Sequence, residues 1–362
     1  MPKPTLHLVG IFHTIHSQAY SHCAFTGKAL RFAKMMQRYD YPVVEYANAG
    51  SESEAHEKVI LLSKDELETL AGKHTNTAFW GDTATLGTPH HGEFERRLVE
   101  AMQSRVQPND IICHPFGHAH SRLLQDFPKN IHVETGIGYP TLVDGTIRIF
   151  ESYAWRHYHA GKDGRQGTNY EWVIPNYFEI NDWEPNYEPG QYIAFLGRIA
   201  SCKGLDTLLE IAKNLPAGSP KIALCGQGDA TPWEHPNIEY RGPITGAARS
   251  EYMRNAICSI MPTNFIEPFG GSGVEGLLCG TPLISADYGA FAETVKHGVN
   301  GYRCKTLADW LEAIANVGKL DRKAIATEAR ATYSLEACGA RYDDAFKKIH
   351  QLYDKGWYTL PE

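Results

Sequence analysis

The sequence predicts an α/β protein of two doubly wound domains, each built on a parallel sheet. Three observations carry this. Apolar, β-branched runs alternate along the chain with longer helix-periodic runs, the pattern of strand–helix–strand units. At 362 residues the chain can hold two cores, because a domain takes roughly 100–200 residues. The alternation breaks once, at Glu179–Gln191, which carries two prolines and four acids and no periodicity. Domains are therefore expected at residues 1–178 and 192–334, with 179–191 as linker and 335–362 as a final helical segment crossing back to the first domain.

The elements follow in order. Leu6–Phe12 is an apolar run too short for a signal peptide and reads as a first core strand. Cys23–Arg38 is a helix with Leu30, Phe32, Ala33 and Met36 on one side and Lys28, Arg31, Lys34 and Arg38 on the other. Strands follow at Pro42–Tyr46, Val59–Leu62, Asp110–Pro115 and His132–Glu134, and helices at Gly92–Arg105 and Ile147–His159. The second half has strands at Tyr192–Leu196, Lys221–Cys225, Ile257–Met261 and Pro282–Ser285. Its helices are expected at Leu205–Asn214, Ser250–Asn255, Ser272–Leu278, Ala308–Ile314 and Leu335–Tyr353. Such sheets bind ligands at the carboxyl ends of their strands.

Composition narrows the function. A net charge of −7 excludes nucleic-acid binding by bulk electrostatics. No run approaches the ~18 apolar residues of a membrane span. The eight cysteines form no CxxC pair and read as buried thiols of a reducing, cytoplasmic compartment. The basic side of the helix at Cys23–Arg38 reads as a solvated face, with peripheral docking on an acidic membrane or a basic acceptor groove as alternatives.

Two segments carry chemistry. In Glu267-Pro-Phe-Gly-Gly-Ser-Gly-Val-Glu275, glycines 270, 271 and 273 let a ligand approach the backbone. A helix then starts at Ser272, and its free N–H groups and positive dipole end suit a diphosphate. Ser272 and Glu275 also read as a capping box. In Phe195-Leu-Gly-Arg198 and Lys203-Gly204, two cations stand at a strand's carboxyl end, placed to neutralise a developing diphosphate.

Together these segments resemble the C-terminal half of retaining glycosyltransferases of family 4, which have the GT-B fold of two Rossmann-like domains facing a central cleft. Supporting marks are Leu224-Cys-Gly-Gln-Gly228, Cys279-Gly-Thr-Pro-Leu-Ile284, and Asp287–Glu293 followed by Gly298–Gly301. The likeness runs over residues 190–305. It implies transfer of a hexose or related sugar from a UDP- or GDP-sugar, which is a substrate and not a prosthetic group, to an acceptor it does not identify. Arg198 and Lys203 would hold the donor phosphates. Glu267 and the amides of Phe269, Gly270 and Gly271 would hold the sugar, Glu275 the ribose, and Gly242 with Pro243 would lie near the base. Ser272 and Gly273 complete the phosphate-facing helix start, and Glu293 is read as structural. The resemblance also implies retention, and no metal is required if these cations suffice.

The first half departs from the family, whose members often carry a Gly-Gly loop after the first strand. Here that place reads Phe12-His-Thr-Ile-His16. His13-Thr14, Cys23-Ala-Phe-Thr26, Val133–Tyr139 and Phe150–Trp155 resemble a branch met in phage and bacterial genomes. Fourteen of the 17 histidines precede residue 160. In His114-Pro-Phe-Gly-His118-Ala-His120 the resemblance places a histidine near the donor sugar: His120 first, with His118 and His114 in reserve. Three histidines this close could also ligate zinc, but no Cys or Asp pattern completes the set, so no metal ligands are assigned. The rival readings are a nucleotide-sugar epimerase, a sugar phosphorylase, a non-catalytic sugar-nucleotide binder, and a dinucleotide dehydrogenase using Glu45. The last lacks G-x-G-x-x-G after the first strand.

Overall fold

The computed structural model describes residues 3–20, 23–72, 85–188 and 190–352, and the chain divides into two compact units. Unit 1 comprises Met1–Glu151, His159–Phe178 and Leu335–Glu362, and unit 2 comprises Ser152–Tyr158 and Glu179–Ser334. Residue 189 of the expected linker, and residues 353–362 of the expected final helix, lie outside the described residues.

In unit 1 the strands are β1 (Leu6–Val9), β2 (Val43–Ala47), β3 (Glu57–Ile60), β4 (Ile111–Cys113), β5 (Ile131–Ile137), β6 (Ile147–Phe150) and β7 (Glu171–Val173). They form one parallel sheet in the order β3-β2-β1-β4-β5-β6-β7. Its helices are α1 (Ala24–Gln37), α2 (Lys64–Ala71), α3 (Pro89–Gln103) and α4 (Leu123–Asp126), and α5 (Tyr153–Lys162) carries residues of both units. Period-2 alternation covers both faces of the sheet. Leu6, Leu8, Val43, Ile111 and Cys113 enter one core, and Val9, Val44, Tyr46 and Ile112 enter the other with Phe94 and Leu98 of α3.

Unit 2 holds β8 (Tyr192–Leu196), α6 (Leu205–Asn214), β9 (Ile222–Cys225), β10 (Ile238–Gly242), α7 (Ala247–Arg254), β11 (Ala256–Met261), α8 (Gly271–Leu278), β12 (Leu283–Ala286), α9 (Phe291–Thr294), β13 (Gly301–Cys304), α10 (Leu307–Asn316) and α11 (Arg322–Tyr333). Its parallel sheet runs β10-β9-β8-β11-β12-β13. α12 (Leu335–Leu352) belongs to unit 1, where Leu335, Cys338, Tyr342, Phe346 and Ile349 form a helical stripe packed on Phe32, Met35 and Met36 of α1. In each sheet the strand order reverses beside the unit's first strand, between β1 and β4 and between β8 and β11. Ligands bind open α/β sheets at such switch points.

Several elements differ from the sequence reading. Ile147–His159 is a strand, β6, followed by a helix, α5, because Ile147-Arg-Ile-Phe150 pairs with both β5 and β7. β10 escapes the apolar pattern because it is a sheet edge whose Glu239, Tyr240 and Arg241 are exposed. The basic side of α1 is not a solvated face. Lys28 is 1% exposed and bonds Glu151 and the Gly136 carbonyl. Arg31 donates to the Tyr177 carbonyl over the Phe178 ring, and Lys34 and Arg38 pair with Glu54 and Glu336. Lys34 and Arg38 keep about a third of their side-chain surface exposed in these pairs. Among the described residues no helix is long and apolar enough to cross a membrane.

Candidate functional site

The carboxyl end of β8 leads through Gly197 and Arg198 into a single 3-10 turn, Ser201–Lys203. Gly204 ends that turn at φ +79°, and a Cβ there would lie 1.8 Å from the Pro262 carbonyl oxygen. Only glycine lets the β8 loop approach the end of β11 this closely. A Cβ on Gly226, after β9, would lie 1.7 Å from the Gly197 oxygen, so the neighbouring strand end is also locked to this loop. Arg198 is exposed.

This approach brings Lys203 to Glu267. Its Nζ lies 2.8 and 3.2 Å from the two carboxylate oxygens, with side chains 13% and 11% exposed. The ammonium also stands 4.6 Å from the Phe265 ring centre. Glu267 is fixed by its backbone: its carbonyl accepts from Ala290 N–H at 3.1 Å, and Gly289 packs against its amide. The loop then turns at Gly270, φ +80°, where a Cβ would meet the Phe291 ring at 2.4 Å. α8 starts at Gly271, and its first amides have no intrahelical acceptor. Gly273 lets the helix pack on Leu283. Phe269 is buried against Tyr333.

The capping box does not form. The N-cap is Gly270, so Ser272 falls inside the first turn, where its Oγ lies 3.6 Å from Met261 Sδ. Glu275, 8% exposed, is bonded instead by Arg249 of α7. Arg249 went unnoticed in the sequence because a lone arginine in a helix has no local signal. Gly242 ends β10 at φ +77° and its carbonyl accepts from Gly226 N–H, with Pro243 following. Glu293 is structural: its carboxylate accepts from the Tyr153 and Ala154 amides at the start of α5. Unit 2 thus gathers Lys203, Glu267, the start of α8, Glu275 and Arg249 around its switch point.

Unit 1's switch point is built differently. The loop after β1 is held by His16, whose Nε2 accepts from Ile11 N–H at 3.1 Å while Nδ1 lies 2.7 Å from Glu45. Glu45 also accepts from Ser51 and Ser53. Burial pushes its carboxyl up, but the His16 and serine bonds outweigh it and hold the group below the usual range. At 0% exposure and with three hydrogen bonds, to His16, Ser51 and Ser53, Glu45 is turned inward, which weighs against the ribose contact of the dehydrogenase reading. Asn48 donates to the Phe12 and Thr14 carbonyls, so side chains fix a loop that glycines shape elsewhere.

The three loop histidines separate. His114 is buried, with Nε2 3.0 Å from His132 Nδ1. His132 Nε2 lies 2.9 Å from the Phe127 carbonyl. A carbonyl requires N–H there, so in the neutral form that burial favours, His132 Nδ1 accepts from His114. His118 is half-buried, and burial and then His91 lower its pKa. His120 is 2% exposed between Phe12, Phe94 and His91. Burial, then His91, lowers its pKa to about 3 against the opposing Gly10 carbonyl.

The likeness to known proteins bears on both units. Residues 178–331 match the family described as glycosyl transferases group 1. One curated relative, an uncharacterized glycosyltransferase of Methanocaldococcus jannaschii, is 26% identical over 153 residues, 36% of this chain and 39% of its own length. Another, the 2-deoxystreptamine N-acetyl-D-glucosaminyltransferase of Niallia circulans, is 32% identical over 117 residues, 29% of this chain and 30% of its own length. The chain therefore matches well under half the length of either relative. Among solved structures, sucrose-phosphate synthase from Thermosynechococcus elongatus superposes with TM-score 0.67 at 15% identity, covering 96% of this chain and 99% of that one. HepE from Anabaena, in complex with UDP and glucose, superposes with TM-score 0.65 at 14% identity, covering 95% and 100%. The fold is GT-B. Within this GT-B chain the family match falls on unit 2, which holds the paired charges.

Proposed function

We propose that the chain is a family 4 glycosyltransferase, moving a hexose or related sugar with retention from a nucleoside-diphosphate sugar to an acceptor. The observation that carries this is the Lys203–Glu267 pair at the unit 2 switch point, in the loop that leads into α8. An ion pair with both side chains about nine-tenths buried is costly unless it serves a purpose. An arriving diphosphate takes over the Lys203 charge, Arg198 and the α8 amides add to it, and Glu267 is released to accept from sugar hydroxyls. Glu275 serves the ribose, with Gly242 and Pro243 beside the base. Of the loop histidines, His118 is the one exposed enough to meet a ligand.

As the sugar–phosphate bond breaks, negative charge grows on the diphosphate, where these cations and amides lower its energy without a metal. Among the described residues no second carboxylate pair is assigned to a hydrolase-type double displacement. UDP is the first donor nucleotide to try, because the HepE structure holds UDP and glucose. The eight free cysteines fit a reducing, cytoplasmic setting.

The test is a panel of UDP- and GDP-sugars, with nucleotide release followed without acceptor and with excess chelator. Release from one donor, lost in Glu267→Ala and Lys203→Ala, supports the reading. Undiminished release in both variants sinks it, and metal-reversible loss in chelator overturns its metal independence. Donor converted without release of nucleotide points to an epimerase, and a requirement for free phosphate points to a phosphorylase.

A further inference from the structure

Unit 1 contains a cluster that the chemistry proposed for unit 2 does not use. The loop after β4 closes into a 3-10 turn, Gly117–His120, which places the His120 ring in the interior. Neither of its ring nitrogens has a hydrogen-bond partner. The Gly10 carbonyl faces the ring and favours its protonated form. A neutral imidazole carries one N–H and one lone pair, and burying both unpaired is costly unless something else engages them.

α3 supplies two more donors. His91 and Glu95 are one turn apart and share a helix face. One ligand atom from each of His91, Glu95 and His120 lies within 4.8 Å of the others. Donors on a tetrahedral zinc, each about 2.0–2.1 Å from the ion, stand roughly 3.3 Å apart, so small side-chain movements close the set. The Glu95 carboxylate has no hydrogen bond or ion pair among the described residues. Among the described residues, Glu95 and His120 therefore keep ligand atoms that no hydrogen bond of ordinary geometry takes up.

His91 is committed in an informative way. Its Nδ1 accepts from Gly87 N–H at 3.0 Å, so its proton is on Nε2, which donates to the Ala119 carbonyl at 2.8 Å. A backbone carbonyl on the far nitrogen is the outer support that orients a metal-bound histidine. The Gly87 bond is the one a metal must displace.

We propose that His91 through Nδ1, Glu95 through a carboxylate oxygen and His120 through a ring nitrogen form a site for a divalent transition metal, zinc by donor set. The ion ties the start of α3 to the β4 loop at the unit 1 switch point. His114 and His118 take no part, because the fold turns His114 onto His132 and leaves His118 at the rim.

The test is calorimetric titration of the chelator-stripped full chain with zinc chloride, beside Glu95→Gln and His120→Phe. Wild type binds one Zn2+ per chain and its melting temperature rises. Both variants bind weaker by roughly tenfold or more, and their melting temperatures stay put. Glu95 is partly exposed, so Glu95→Gln keeps the fold and carries the test if His120→Phe does not. No zinc uptake by wild type, or uptake that Glu95→Gln leaves unchanged, overturns the proposal. The readout is metal binding, so its failure and that of the transfer reading are told apart.

Discussion

The two switch points sit on parallel sheets of the same strand plan, yet they gather opposite side chains. Unit 2 collects ions in facing pairs, Lys203 with Glu267 and Arg249 with Glu275, beside a glycine-rich helix start. Unit 1 collects neutral rings, with Phe12, His91, Phe94 and His120 packed together and His114 stacked on His132. Paired ions in a partly dry site are poised to exchange partners with a charged ligand. Buried neutral rings instead fix loops, and they titrate only at a cost in stability. The difference teaches that a shared topology sets where a site can lie, while the side chains at the strand ends decide what it can do.

The sharpest way to break this comparison is to remove the unit 2 ions. Glu267→Ala and Lys203→Ala are expected to cut nucleotide release by roughly a hundredfold or more, with circular dichroism unchanged. Next is the glycine that brings the loops together. Gly204→Ala forces a Cβ against the Pro262 carbonyl at a left-handed backbone position. It is expected to cost about 1–3 kcal/mol and to lower activity with it, read by thermal melts and the release assay.

The unit 1 rings make a pH prediction. Burial, then His132 and His120, hold the His114 pKa well below its ordinary value. The unfolded chain therefore binds the proton first. The stabilising effect is complete above the unfolded pKa near 6.5 and is lost as pH falls below it, by at most about 1.4 kcal/mol per pH unit. Melting temperature should drop between pH 7.5 and 5, and His114→Gln should flatten that slope. An identical slope in the variant removes His114 as its cause.

Arg249→Ala should act more mildly, raising the donor KM several-fold while kcat changes little, because it removes the partner that orients Glu275, the carboxylate proposed for the ribose. The smallest effects belong to the α1 surface pairs. Lys34→Ala and Arg38→Ala should shift stability by less than about 0.5 kcal/mol in urea melts.

Much of this was legible in the sequence, and the reasons differ by residue. Tyr192–Leu196 and Leu205–Asn214 match their elements because an unbroken apolar run and a clean amphipathic period are local signals. β10 was not legible because this edge strand exposes Glu239 and Arg241 and loses its alternation, and β7 because it is only three residues long and opens on a buried glutamate, Glu171. Glu267, Glu275 and Lys203 stood out by spacing along the chain. The Ser272–Glu275 cap was misread because the helix is capped at Gly270, two residues before the serine.

By itself the sequence determined the α/β class, the break between halves and the glycine-rich helix start, because each depends on residues near one another in the chain. Only the tertiary structure decided who pairs with whom. Arg249 reaches Glu275 from another helix, Lys28 leaves the basic face for Glu151, and His120 finds His91 and Glu95 in place of its own neighbours. Such partnerships form when a parallel sheet brings distant strand ends to one edge, and no local spacing records which ends will meet.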